Sequence, residues 1–236
     1  MAGILYLIPT TLGGSDTDAV IPAGVLAQVR RLAYFIAENP KSARTYLKRI
    51  GMNVPMQSIT VERLDHNTPA GSIDALLAPV IAGNDAGVIS EAGCPAIADP
   101  GAAMVRRAHE RGVRVLPLVG PSSILLALIA SGLESQRFAF QGYLPVKAPA
   151  RDKAIREAES RSHRNRETQV FIETPYRNLQ LYSALLAACR AETLLCVATD
   201  LTLPAESVRT LRIAEWKQRH PDLKDRPSVF LLLARD

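Results

Sequence analysis

The sequence predicts an α/β protein of two lobes, each a sheet flanked by helices. Short β-prone runs alternate with segments of helical periodicity through the first half. That is the pattern of a mostly parallel sheet with helices on its faces. Two runs, at 88–102 and 115–124, pass through loops rich in Gly and Pro straight into helices. In open α/β sheets, ligands bind in the crevice beyond the carboxyl ends of strands. With 236 residues, the chain can fill one large domain or two small ones, each with a real core. The lobe boundary is expected near Val119, where a strand gives way to Gly120-Pro-Ser-Ser123, so the lobes are 1–118 and 119–236.

Taken in order, Ile4–Ile8 reads as a buried strand stopped by Pro9, followed by a loop holding Gly13 and Gly14. Residues 24–37 read as a helix, with Val25, Val29, Leu32, Phe35 and Ile36 at helical spacing. Residues 42–50 and 73–82 read as helices closed by Gly51 and Gly83. Ala86–Ser90 is a strand, 91–101 a loop, 102–111 a helix, 113–118 a strand and 124–131 a helix. In the second half, strands are expected at 137–142, 169–172, 194–198 and 228–234, and helices at 153–161, 179–189 and 212–218.

Hydrophobic residues make up 47% and charged residues 22%, which suits a folded globular chain and excludes disorder. The net charge of +5 is compatible with a nucleic-acid partner and does not require one. Cys94, Cys189 and Cys196 form no CxxC, and an odd count gives no disulfide framework. A cytoplasmic protein is expected. The first residues lack the basic start and long apolar stretch of a signal peptide. The longest apolar run, 124–130, is too short to span a bilayer, so no membrane partner is expected.

Several chemistries lack their motif. There is no GxxxxGK[ST] and no GxGxxG after a strand, no HExxH or Cys/His cluster, and no GxSxG. No metal site is expected. Cys94 in its glycine loop is a conceivable nucleophile, but no histidine lies nearby in sequence. The two Gly/Pro loops read either as ligand-gripping or as ordinary turns.

The stretch 88–101, VISEAGCPAIADPG, resembles the ISDAGTPxISDPG signature of the ribosomal RNA small subunit methyltransferase I family, within the tetrapyrrole methylase superfamily. The likeness continues through 113–123 (VRVLPLVGPSS, similar to IRVVPLPGPCA) and Gly142-Tyr-Leu-Pro145 with Lys147. Phe171–Arg177 resembles FYESxHR, Asp200–Thr202 with Glu206 resembles ELTKxxE, and Leu64–Asn67 resembles HxHN. Some positions depart from the pattern. TPIGNL is replaced by PTTLGG, and EDTR by Glu38-Asn-Pro-Lys41. The lysine of ELTK is Leu203, and the Asp and Thr of SDAGT are Glu91 and Cys94.

The resemblance implies a two-lobed tetrapyrrole-methylase-like fold with S-adenosylmethionine in a cleft between the lobes. Carried over by position, the cofactor site comprises Pro9, Gly13, Ser90, Glu91, Gly93, Cys94, Pro95, Ile97, Ser122 and Ser123, with Glu173 and Tyr176 from the second lobe. Lys41, Arg44, Lys147 and Arg177 are expected on the acceptor, and Glu38 is the favoured base. For Glu38, Glu91 and Glu173 alike, the competing role is a helix cap or an ion pair with Arg44 or Arg177. The family also implies ribosomal RNA or the small ribosomal subunit as partner, methylation of a ribose 2′-hydroxyl, and a homodimer. Two other functions stay open at this point. One is a small-molecule methyltransferase of the tetrapyrrole kind. The other is a non-catalytic protein that binds S-adenosylmethionine or RNA.

Overall fold

The computed structural model describes residues 2–14 and 16–235. The chain forms two compact units, Met1–Ser122 and Ser123–Asp236.

The first unit runs β1 (Ile4–Ile8), α1 (Ala23–Val29), β2 (Tyr34–Ala37), α2 (Pro40–Ile50), β3 (Thr60–Arg63), α3 (Ala70–Ile81), β4 (Ala86–Ile89), α4 (Gly101–Glu110) and β5 (Arg114–Pro117). Its sheet has the order β3-β2-β4-β1-β5 and every pairing is parallel. Alternate strand residues fill two cores. Tyr6, Ile8, Phe35 and Ile89 pack with Leu26 and Val29 of α1 and Leu47 of α2. Leu5, Ile36 and Val88 pack with Leu77 of α3 and Met104 of α4. Helices therefore cover both faces, as an all-parallel sheet requires.

The single helix expected over 24–37 does not form: the helix stops at Val29, and 34–37 is a strand. Phe35 and Ile36 are fully buried in opposite cores. Two adjacent apolar residues can face two cores only in an extended chain, where side chains alternate. The edge strand β3 escaped notice because all its residues except Val61 are exposed and its sequence, TVER, is polar. α2 begins where Asn39 Oδ1 accepts from the amides of Lys41 and Ser42, at 3.0 and 3.4 Å. It ends at Gly51, whose φ of 72° is the left-handed stop of many helices.

The second unit runs α5 (Ser123–Ser131), β6 (Phe138–Tyr143), α6 (Ala148–Asn165), β7 (Thr168–Glu173), α7 (Asn178–Ala188), β8 (Leu194–Thr199), β9 (Ser207–Arg212), α8 (Ile213–Trp216) and β10 (Ser228–Leu233). Its sheet has the order β6-β7-β10-β8-β9, and only β6–β7 is parallel. On one face Phe171, Val197 and Phe230 pack with Ile155 of α6, Leu185 of α7 and Trp216 of α8. On the other, Thr210 of β9 donates to Ser131 O of α5 at 2.6 Å. β9 is a second polar edge strand that the apolar pattern does not announce. The helix expected over 212–218 is the short α8, and that over 153–161 extends to 148–165.

Candidate functional site

β1 and β4 are neighbours, yet the chain leaves them in opposite directions. From β1 it crosses to β2 beyond β4, and from β4 it crosses to β5 beyond β1. Such a switch point opens a crevice at the carboxyl ends of the two strands. The loops after β1, β4 and β5 all emerge there.

Main-chain groups and short side chains tie these loops together. Thr10 N donates to Gly93 O at 2.9 Å, and Thr10 Oγ1 to Ser90 O at 3.3 Å. Ser90 Oγ donates to Gly93 O at 2.6 Å. Leu118 N donates to Leu7 O at 2.9 Å. The Cys94 thiol points at Pro121 O and Gly120 O, at 3.5 and 4.0 Å. Two glycines allow the close approach. A Cβ on Gly120 would fall 2.3 Å from Pro9 Cγ. One on Gly93, at φ 69°, would meet Leu12 Cδ2 at 3.0 Å and Pro121 O at 3.3 Å.

Of the expected cofactor residues, the first unit brings together Pro9, Ser90, Gly93, Cys94 and Pro95 in these contacts and their immediate chain. Gly13 and Glu91 are exposed on the same loops, and Ile97 is 46% exposed. Ser122 ends the β5 loop, while Ser123 opens α5 of the second unit. Burial raises the Cys94 thiol above its ordinary value, the opposite of the downward shift that activates nucleophilic cysteines.

Glu38 follows β2, next to β4 in the sheet. It shares a recess with Ser90 and Asp99, and His66 Nε2 lies 3.9 Å from its carboxylate. Asp99 was not singled out from sequence. Its Oδ1 accepts from Ala96 N at 2.9 Å and Gly101 N at 2.8 Å. Those bonds pin a loop in which Ala96 and Ala98 hold φ of 66° and 59°, a conformation costing roughly 1–2 kcal/mol per residue. Burial raises the Asp99 pKa, the two amides lower it, Glu38 nearby raises it again, and His66 lowers it. The sequence signal was an Asp placed before Pro-Gly at a helix start, where carboxylates collect free amides.

The expected acceptor residues are dispersed. Lys41 is exposed in the first turn of α2. Arg44 Nη2 donates to Ile59 O at 3.2 Å. In the second unit, Lys147 is exposed just before α6. Arg177 Nη2 sits 2.5 Å from the buried Glu173 carboxylate, the ion pair that was the competing role for that glutamate. Tyr176 is 74% exposed beside them.

The family model for Tetrapyrrole (Corrin/Porphyrin) Methylases matches residues 5–217. Among curated relatives, the ribosomal RNA small subunit methyltransferase I of Pseudomonas aeruginosa is 30% identical over 91% of this chain and 72% of its own length. The protein of that name from Vibrio cholerae is 31% identical over 98% of this chain and 77% of its own length. Among solved structures, the methyltransferase CobJ aligns with a TM-score of 0.64 at 17% identity, over 99% of this chain and 95% of that one. Uroporphyrin-III-C-methyltransferase from Thermus thermophilus aligns with a TM-score of 0.56 at 18% identity, over 99% and 93%. These two likenesses are of fold alone. With that fold, a family model covering most of its length and relatives at this identity, the chain belongs to the tetrapyrrole methylases and, within them, to the ribosomal RNA small subunit methyltransferase I family.

Proposed function

We propose that this protein transfers a methyl group from S-adenosylmethionine to a ribose 2′-hydroxyl of small-subunit ribosomal RNA. The observation that supports this most is the likeness, along almost the whole chain, to relatives named for that substrate. In this reading the cofactor rests on Pro9, Gly13, Ser90, Glu91, Gly93, Cys94, Pro95, Ile97, Ser122 and Ser123. Glu173 and Tyr176 are assigned to it by family position.

The residues present suit such a ligand. The main-chain N–H groups of Gly13, Cys94, Ala98 and Gly120 reach no acceptor among the described residues. They are available to the carboxylate and adenine nitrogens of the cofactor. The same groups suit it whether position 94 is Thr or Cys. Both side chains are short donors, and the Cys94 thiol already faces two carbonyls.

Bound S-adenosylmethionine supplies an electrophilic methyl group on a sulfonium centre. The chain orients donor and acceptor, an effect that can be worth ~7–11 kcal/mol. Glu38 takes the proton of the attacking hydroxyl. Lys41 and Lys147 meet acceptor phosphates. Arg44 and Arg177 do so with the guanidinium N–H groups left over from Ile59 O and Glu173. The reading includes a cytoplasmic homodimer, which sedimentation of the purified protein checks. No helix among the described residues is long and apolar enough to cross a membrane.

The test is methyl transfer from labelled S-adenosylmethionine to small ribosomal subunits from cells lacking this protein. Label on one ribose is expected. E38Q should lower turnover ~10²–10⁴-fold while cofactor affinity holds. Tight cofactor binding with no label would overturn the ribosomal substrate.

A further inference from the structure

The second unit carries a groove that the proposed methyl transfer does not use. It encloses about 450 Å³, within the roughly 300–1,000 Å³ of ligand sites. Its floor is the β8–β9 ladder, where Val197 pairs with Arg209 and Thr199 with Ser207. Its far wall is the segment after α8, with Arg219 and His220, and Arg226 closes one end.

The arginines differ in what they already hold. Arg226 is committed: Nε donates to Asp200 Oδ2 at 2.6 Å, Nη2 to Ala205 O at 2.7 Å and Nη1 to Asp222 O at 3.2 Å. It braces the end of the groove. Arg209 and Arg219 are exposed and have no hydrogen-bond or ion-pair partner for their guanidinium groups among the described residues. One carboxylate lines the groove, Asp222, and its side chain is 77% exposed with Arg226 Nη1 3.8 Å away. The charge of the chain is concentrated in this unit. Residues 123–236 hold seventeen Lys and Arg against thirteen Asp and Glu, while residues 1–122 hold eleven against ten.

Two unpaired guanidinium groups, one rising from the floor and one from the far wall of a polar groove, match an anion that lies along it. Each presents a planar fork suited to phosphate oxygens. We propose that this groove binds the phosphodiester backbone of the RNA acceptor, with Arg209 and Arg219 as its phosphate contacts. The ligand class rests on the proposed RNA substrate; the groove and its free arginines do not. Their part is to hold the acceptor, apart from the methyl-transfer chemistry.

The test compares the full-length protein with R209Q/R219Q and with R156Q/R164Q, which removes the same charge from α6. Binding of a single-stranded RNA oligonucleotide and of small ribosomal subunits is followed against salt. Neutralising two phosphate contacts on a single strand should flatten the slope of log affinity against log salt by about 1.4. R209Q/R219Q should show that change and a raised KM for subunits, with cofactor affinity and thermal midpoint as in the parent. R156Q/R164Q should change the slope little. Equal slopes for the two variants, or a parent that binds neither RNA, would overturn the groove as an RNA site. So would displacement by polyglutamate as effective as that by RNA. The two readings fail separately. Subunits methylated with an unchanged KM by R209Q/R219Q would remove the groove and leave the function. RNA held through the groove without methyl transfer would do the reverse.

Discussion

In residues 1–122 the sheet is parallel throughout, and its functional end is mostly main chain, tied by the short side chains of Thr10, Ser90, Cys94 and Asp99. Carbonyls of Gly93, Gly120 and Pro121 and amides of Thr10, Ala96 and Gly101 meet there, with glycines where a Cβ has no room. In residues 123–236 the sheet is mixed, and charged or amide side chains do the equivalent bracing. Glu173 holds Arg177, and Arg226 holds Asp200. Buried Glu159 accepts from Arg190 N and Thr193 Oγ1, and Asn178 Nδ2 donates to Arg226 O at 2.6 Å. The difference explains which substitutions each unit tolerates. A site offering N–H and C=O groups keeps its chemistry when side chains change. Glu91 and Cys94 can therefore stand where the family pattern has Asp and Thr. A unit braced by side chains must keep their chemistry instead, as Asp200 does where the family pattern has Glu and Arg226 still finds a carboxylate, but it can carry spare charge at its surface.

The second unit should depend most on side-chain contacts in its core. Trp216 Nε1 donates to Leu195 O at 2.8 Å, and its ring meets Tyr182 edge-on at 5.8 Å. Tyr182 OH returns to Trp216 O at 2.9 Å. Trp216→Ala should cost about 3–5 kcal/mol, read from denaturant unfolding. A loss below about 1 kcal/mol would mean that this unit does not depend on its side-chain contacts as argued.

The first unit should respond most to added bulk on its backbone. Gly120→Ala puts a methyl group 2.3 Å from Pro9 Cγ, so one loop must move. Overpacking of this kind costs about 1–3 kcal/mol. Cofactor affinity, measured by calorimetry, should fall roughly tenfold or more, since 1.4 kcal/mol is a factor of ten. Glu91→Ala, on the same loop but exposed, should leave stability nearly unchanged. If the glutamate mattered more than the glycine, the main-chain account of this end would fail.

The sequence made some of this legible and hid the rest for identifiable reasons. β1 and β4 stand out because parallel strands covered on both faces are continuously apolar. The Gly/Pro loops stand out because few residues fit their backbone. β2 was concealed because Leu32, Phe35 and Ile36 fall at spacings a helix would also give. β3 and β9 were concealed because edge strands need little apolar surface. The family motifs located the loops and, through Glu38, one wall of the recess with Asp99. Asp99 itself gained meaning only once Ala96 and Ala98 were seen in left-handed backbone. The groove was beyond reach: Arg209 and Arg219 come together only through the turn of α8 back along β9.

Asp99 is the one carboxylate on which the main-chain end of the first unit leans, and it tests the comparison most finely. Asn keeps an oxygen able to accept from Ala96 N and Gly101 N, whereas Ala leaves both amides without it. Asp99→Ala should therefore cost about 1–3 kcal/mol, and Asp99→Asn much less. The pH dependence separates bonding from charge. The folded-state pKa is raised, chiefly by burial and, after the opposing amides, by Glu38. Below the ordinary Asp range both folded and unfolded forms are protonated, and the group adds no pH dependence. As pH rises through that range the unfolded chain ionises first, so folding retains a proton and stability falls until the raised value is passed. Above it the loss is constant. Wild type should thus lose stability relative to Asp99→Asn as pH climbs across this window, read as a falling difference in denaturant midpoint. If wild type instead gained on Asp99→Asn as pH rose, the ionised carboxylate would be what holds the loop. The first unit would then be braced by charge, as the second is.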